Sequence, residues 1–212
     1  MLINCMGYQN INSHYKTPPH TFESDVYSEL CPDCQSKLRE LWITNLFDPL
    51  QRTMSFSNFR GEHHEPSVVL WGKYGVGKTH LAISIARKMI EDYPMNPPKC
   101  PVAFITESDM LDRIRASFTT NKDSEHKIIS ELVKPDLLIL DDVGKVTPQN
   151  HDFLQRIMFL LIDRIYRKNS KLILTTNLGM ADLVIHIGES CVSRLHEMCS
   201  VKEIKGVDAR IT

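Results

Sequence analysis

Residues Gly72-Lys73-Tyr74-Gly75-Val76-Gly77-Lys78-Thr79 fit the pattern G-x-x-x-x-G-K-[ST], and no other stretch of the chain restricts its fold as much. Four apolar residues, Val68-Val69-Leu70-Trp71, lead into the octapeptide, and Leu81, Ala82, Ile85, Ala86 and Met89 follow it with helical spacing. The pattern predicts a strand, a glycine-rich turn and a helix in direct succession. Such a turn lets backbone N–H groups at a helix N-terminus close around a phosphate chain. Lys78 is then placed to reach the β and γ phosphates of ATP, and Thr79 to offer its hydroxyl to Mg2+. Gly72, Lys73, Tyr74, Gly75, Val76, Gly77 and His80 complete the expected nucleotide-binding stretch. An ordinary glycine-rich turn would account for the letters, but not for the strand and helix on either side.

Downstream, short apolar runs alternate with helical patterns, as in a parallel sheet covered on both faces. The expected strands are Val68 to Trp71, Val102 to Thr106, Leu137 to Leu140 and Leu172 to Thr176, with a weaker edge strand from Val201 to Lys205. Between them Met110, Leu111, Ile114 and Phe118 share one helical face, and so do Phe153, Ile157, Met158, Leu161 and Ile165, with Asn150 expected as the cap of the second helix. Pro94, Pro97, Pro98 and Pro101 end regular structure after the first helix. The expected fold class is α/β, a three-layer sandwich around a central parallel sheet.

The run Leu137-Leu138-Ile139-Leu140 ends in two carboxylates, Asp141 and Asp142. A central strand is apolar on both faces, so acids belong where it emerges at its C-terminal end, the edge at which ligands sit in open parallel sheets. Two acids after a strand also suit a solvated loop. In a chain that already carries a phosphate loop, Asp141 is expected to hold Mg2+ and Asp142 to polarise an attacking water. The run Leu172-Ile173-Leu174-Thr175-Thr176 ends in Asn177, whose amide would lie near the γ phosphate and orient that water.

Charge and composition exclude several classes. Lys+Arg 25 against Asp+Glu 26 gives a net charge of −1, so any nucleic-acid contact must come from a local patch or from a ring of subunits. No stretch approaches the ~18 apolar residues of a membrane span, and Met1-Leu2-Ile3-Asn4-Cys5 lacks the regions of a signal peptide. The expectation is a soluble, cytoplasmic protein without membrane association, whose six cysteines are reduced thiols or metal ligands.

The motifs in this order resemble the AAA+ P-loop ATPases, and more closely the branch that contains the helicase loader DnaC and the transposition helper IstB. The likeness is carried by Gly77-Lys78-Thr79-His80-Leu81-Ala82, Leu138-Ile139-Leu140-Asp141-Asp142, Thr175-Thr176-Asn177-Leu178, Ser193-Arg194-Leu195 and Gly206-Val207-Asp208-Ala209-Arg210. It implies an arginine finger at Arg194 that reaches the nucleotide of a neighbouring subunit, a second sensing arginine at Arg210, and a homo-oligomer in the ATP state. A surface arginine in a salt bridge is the alternative for both. With the chain stopping at Thr212, the C-terminal helical lid of most AAA+ proteins is not expected. The chain departs from the family at Lys73 and Tyr74, where small residues or proline are usual, and at Asp142, where many members have Glu. The shorter acid implies slow hydrolysis.

Three regions are expected: a cysteine-containing segment over 1–35, a helical connector over 36–65 and the ATPase core over 66–212. In the first, Cys31-Pro32-Asp33-Cys34 has the spacing of a zinc knuckle, and Cys5, with His14 or His20, would complete a Zn2+ site; unligated thiols are the alternative. In the connector Leu38, Leu41, Trp42, Leu46 and Leu50 form an apolar pattern suited to packing on the core or to docking a partner. Arg113, Arg115, Phe118 and Lys122 form a basic stretch with one aromatic where related loaders contact single-stranded DNA, although the spacing of Phe118 equally suits a core residue. The resemblance leaves two principal functions, an ATP-switched loader of a replicative DNA helicase onto single-stranded DNA and an IstB-like assistant of a transposase. A small-molecule P-loop kinase is disfavoured by Asn177 and Arg194.

Overall fold

A computed structural model of the chain describes residues 32–59, 67–94, 99–118, 124–145 and 151–208, and the backbone of 2–5, 20–23 and 119–120. Five strands make a parallel sheet: β3 (Val68–Trp71), β4 (Val102–Thr106), β5 (Leu137–Val143), β6 (Lys171–Thr176) and β7 (Ser200–Glu203). Their spatial order is β4-β5-β6-β3-β7. The phosphate-loop strand β3 is thus separated from the acid strand β5 by β6, the strand that ends at Asn177. Upstream, β1 (Leu2–Cys5) and β2 (His20–Glu23) form an antiparallel pair.

Each central strand is apolar on both sides, and alternate residues feed two separate cores. Val68, Leu70, Leu137, Ile139 and Ile173 face a cluster built with α1 (Pro32–Leu46) and α2 (Lys78–Asp92). Val69, Leu138, Leu140, Leu172 and Leu174 face the opposite cluster. That second layer comprises α3 (Glu107–Thr120), α4 (Glu125–Val133), α5 (His151–Lys168), α6 (Met180–Ile187) and α7 (Glu189–Met198). The result is the expected sandwich of helix, sheet and helix.

Helix α1 joins the first layer through Cys34, Leu38 and Trp42, spaced four apart and all buried. Burial of a side chain such as Leu38 stabilises by roughly 1.5–3 kcal/mol, so the connector is fastened to the core by these residues. Leu50, by contrast, is 71% exposed. On α3, Met110, Leu111 and Ile114 are buried as their spacing predicts, but Phe118 is 60% exposed and is no core residue. Asn150, Pro97 and Pro98 lie outside the described residues.

Among the described residues no helix is long and apolar enough to cross a membrane. No three His, Cys, Asp or Glu come together there as a metal-ion set, so nothing supports the zinc expectation. Cys34 packs in the apolar core, while Cys31, the side chain of Cys5, His14 and the side chain of His20 lie outside the described residues.

Candidate nucleotide site

The site sits at the C-terminal edge of the sheet, where β3 runs through the glycine turn into α2. Gly77 forms the N-cap of α2 with φ 98° and ψ 16°, a left-handed conformation that glycine adopts without steric cost. Gly75 (φ 73°) is glycine for a second reason, since a Cβ there would run into the carboxylate of Asp208. The segment after β7 thus lies against the outside of the loop, anchored by Ile204 N–H donating to Trp71 O at 2.8 Å. Lys73 and Tyr74 at the tip are exposed, and Val76 is half-buried.

Lys78 is buried, and its Nζ donates to Gly72 O at 2.9 Å, to Lys73 O at 2.7 Å and to Asn177 Oδ1 at 2.7 Å. The last contact joins residues 99 positions apart in sequence. It follows from strand order, because β6 lies directly beside β3 and delivers Asn177 to the loop. Asn177 Nδ2 is buried without a hydrogen-bond partner, a deficit that costs roughly 1–3 kcal/mol until an acceptor arrives. Glycines that admit no side chain, a lysine ammonium and an orphaned amide donor fit a nucleotide triphosphate.

A second cluster lies one strand further along. Thr79 Oγ1 donates to Asp141 Oδ1 and Oδ2 at 3.0 and 3.2 Å. Thr175 Oγ1 donates to Asp141 Oδ1 at 2.6 Å and accepts the Asp142 N–H at 2.9 Å. Burial pushes the Asp141 carboxyl above its ordinary 3.8, and the neighbouring Asp142 charge adds to the rise; the hydroxyls of Thr175 and Thr79 and the Lys78 charge oppose it. A hydroxyl and a buried carboxylate short of cationic charge are what Mg2+, a hard oxygen-seeking ion, would take.

The expected strand Leu137 to Leu140 extends to Val143, and its register on β6 shifts between Leu140 and Val143. The irregularity turns Asp142 out of the sheet at φ 57°, the left-handed region that Asp tolerates better than Glu. Its carboxylate pairs with Lys145 Nζ at 3.0 Å.

Other expected site residues fall elsewhere. The His80 ring turns away from the Lys78 cluster: its Nε2 lies 2.9 Å from Asn58 Oδ1 and 3.2 Å from Ser55 O, and the ring meets Phe59 edge-on at 5.4 Å. Arg194, on α7, pairs with Asp163 at 3.1 Å, donates to Ser190 O at 3.0 Å and covers the rings of Phe159 and Tyr166 at 5.0 and 5.9 Å. Its own chain therefore holds it against α5. Arg210 lies outside the described residues.

The basic stretch on α3 is partly engaged. Arg113 pairs with Glu131, and Arg115 pairs with Asp112 at 3.2 Å while lying over the Phe153 ring at 5.9 Å. Arg156 covers Phe153 from α5 at 5.7 Å, and exposed Phe118 meets Phe153 edge-on at 6.2 Å. Lys122 lies outside the described residues. A cleft of about 1180 Å³ opens at the other end of the sheet, lined by Ser84, Tyr93, Asp136 and Lys171 among others, away from the phosphate loop.

Sequence reasoning gave no role to Thr175 or Phe59. Thr175 stood in a recognised motif, but its hydroxyl acquires meaning only once β6 is placed between loop and acids. Phe59 precedes Gly77 by 18 residues, and only the fold lays the two side by side, with the Phe59 ring 3.5 Å from where a Cβ would stand.

Comparison with known proteins extends these observations. The family described as IstB-like ATP binding protein matches residues 52–211. Replicative helicase loader DnaC of Escherichia coli (strain K12) is 24% identical over 166 residues, which cover 69% of this chain and 64% of DnaC. Insertion sequence IS232 putative ATP-binding protein of Bacillus thuringiensis subsp. berliner is 32% identical over 133 residues, 61% of this chain and 47% of that protein. The chain thus spans from about half to two thirds of these relatives. The crystal structure of the DnaC helicase loader superposes with a TM-score of 0.56 at 22% identity, covering 87% of this chain and 94% of that one.

Proposed function

The chain belongs to the IstB-like ATP binding protein family, within the DnaC/IstB-like AAA+ P-loop NTPases, and on that premise we propose that it loads a replicative DNA helicase onto single-stranded DNA, with ATP as the switch. The observation that carries the nucleotide part is the convergence of Lys78, Thr79, Asp141 and Asn177 from three adjacent strand ends. In this reading Lys78 leaves the loop carbonyls for phosphate oxygens, Asn177 finds an acceptor for its unmet N–H, and Asp142 orients the attacking water. Mg2+ held by Thr79 and Asp141 would neutralise developing phosphate charge. A bulged left-handed position favours the short acid at Asp142, and its carboxylate must leave Lys145 before it can act, so basal hydrolysis is slow. Arg194 completes the site of a neighbouring copy, and Arg210 would serve as the second sensor.

Exposed Phe118 beside Phe153, with Arg115 and Arg156 around them, supports the single-stranded DNA part, because aromatic faces with basic neighbours accept stacked bases. Phe118→Ala is expected to weaken binding of a labelled oligonucleotide by ~5- to 100-fold, measured at fixed salt; unchanged affinity would remove this surface from the proposal. The similarity to DnaC supports the helicase as partner. The family's IstB-like description and the likeness to an insertion-sequence ATP-binding protein favour the second reading, an assistant to a transposase. Capture of partners from cells in the presence of ATP separates the two: a hexameric helicase supports the first, a transposase the second.

A further inference from the structure

We propose that Glu107, to which the preceding reading gives no task, is a positioning residue for hydrolysis: it ties the turn that carries Asp142 to the helix that follows Asn177. The proposal rests on the reading of this site as an ATP hydrolase.

Glu107 is the first residue of α3, directly after the end of β4, and Thr106 before it stands beside Asp141 in the sheet register. Its exposure is 0%. A carboxylate in such surroundings costs several kcal/mol unless its oxygens are bonded. Here both are engaged, in two directions. Oε2 accepts the Gly144 N–H at 3.0 Å, and Oε1 lies 2.8 Å from His186 Nε2. Glu107 also occupies the first turn of α3, where the helix dipole favours negative charge.

These two contacts reach both halves of the water-orienting machinery. Gly144 follows Asp142 by two residues, in the stretch where β5 loses register and Asp142 takes its left-handed conformation. A sparsely populated backbone geometry of that kind persists only when its surroundings enforce it. His186 lies on α6, which begins three residues after Asn177. Gly144 also packs against Leu178, the residue next to Asn177, so closely that a Cβ would overlap the leucine side chain. One buried carboxylate therefore sets the spacing between the acid turn and the amide turn. A displacement of about 1 Å there would cost ~10²-fold in rate.

Glu107→Ala is expected to lower kcat about 10²-fold while the KM for ATP and the Kd of a fluorescent nucleotide stay within about two-fold. Glu107→Gln keeps an acceptor for the Gly144 N–H and should recover most of the loss. In an Asp142→Asn background Glu107→Ala should cost little more, because residues acting as one unit are not additive. Equal kcat losses in both backgrounds, or kcat and nucleotide affinity falling together, would overturn the proposal. If Glu107→Ala does not fold, His186→Ala, which removes the partner of Glu107 Oε1, takes its place, and an unchanged kcat overturns it. A wild-type protein that binds nucleotide through Lys78 but never turns it over would sink the hydrolase reading separately. Amide hydrogen exchange then decides the positioning claim: Gly144 should exchange faster in Glu107→Ala or His186→Ala while Leu138 to Leu140 keep their protection, and unchanged Gly144 exchange overturns it.

Discussion

The phosphate-loop cluster and the Arg194 patch differ in where their polar groups find partners. Lys78 and Thr79 open α2, Asp141 lies on β5 and Asn177 directly follows β6; up to 99 residues apart, they meet one another around a common point. Arg194 spends its charge on Asp163 of the neighbouring helix and on two aromatic rings. The polar groups of the first region partner one another within one chain, apart from Asn177 Nδ2, which is buried without a hydrogen-bond partner. The second is an arginine stored on its own protomer, so its proposed work on a neighbour's nucleotide requires leaving Asp163. On the proposed reading nucleotide binding would belong to the single chain, whereas turnover would be a property of an assembly.

The sharpest way to break that contrast is Arg194→Ala. Turnover by the assembled protein is expected to fall ~10³- to 10⁵-fold, with the nucleotide Kd of a single protomer unchanged. Mixing Arg194→Ala with Lys78→Ala protomers should restore part of the activity at mixed interfaces, and failure to do so would return Arg194 to a salt-bridge role. Lys78→Ala comes next, because it removes the cation from a site of buried donors; nucleotide affinity should drop ~10²-fold or more, equivalent to ~2.7 kcal/mol. Affinity that survives in a fluorescence titration would dissolve the first region as a nucleotide site.

The smallest effect concerns stability. The folded-state pKa of Asp141 is raised by burial, so the folded chain holds that proton more tightly than the unfolded one. Its contribution is present in full below the ordinary value of 3.8 and is lost as pH climbs through the raised folded value. Near neutral pH the nucleotide-free protein therefore carries a penalty. Asp141→Asn should raise its melting temperature at pH 7, with the gain shrinking as pH falls toward that acidic window, while Mg2+-dependent nucleotide binding is lost. A lower melting temperature at pH 7 would show that the hydrogen bonds from Thr79 and Thr175 outweigh burial.

How much of this was legible in sequence depended on the range of the interaction. Strands β3 and β4 lie where their apolar runs begin and end, because Gly72 and Pro101 bound them locally. The loop and the two acids were visible for the same reason, with their chemistry written in adjacent letters. Helix α4 was missed since nine residues give too few turns for a clear period, and α6 and α7 were hidden by Gly188, which ends one and begins the other. Phe118 fell on an apolar face by spacing and proved exposed, because α3 outruns the core it packs against. The Glu107–His186 pair, 79 positions apart, left no local trace; an acid at a helix start after a strand is all the sequence offers.

The carboxylate of Asp208 at Gly75 has a consequence for how mutational scans of the loop are interpreted. An alanine at 75 would push the Asp208 carboxylate aside as well as strain the turn. Lost nucleotide affinity in such a variant would then report two injuries at once, so Gly75 is a poor probe of phosphate contact. A shortened side chain at 208 is the control that tells them apart.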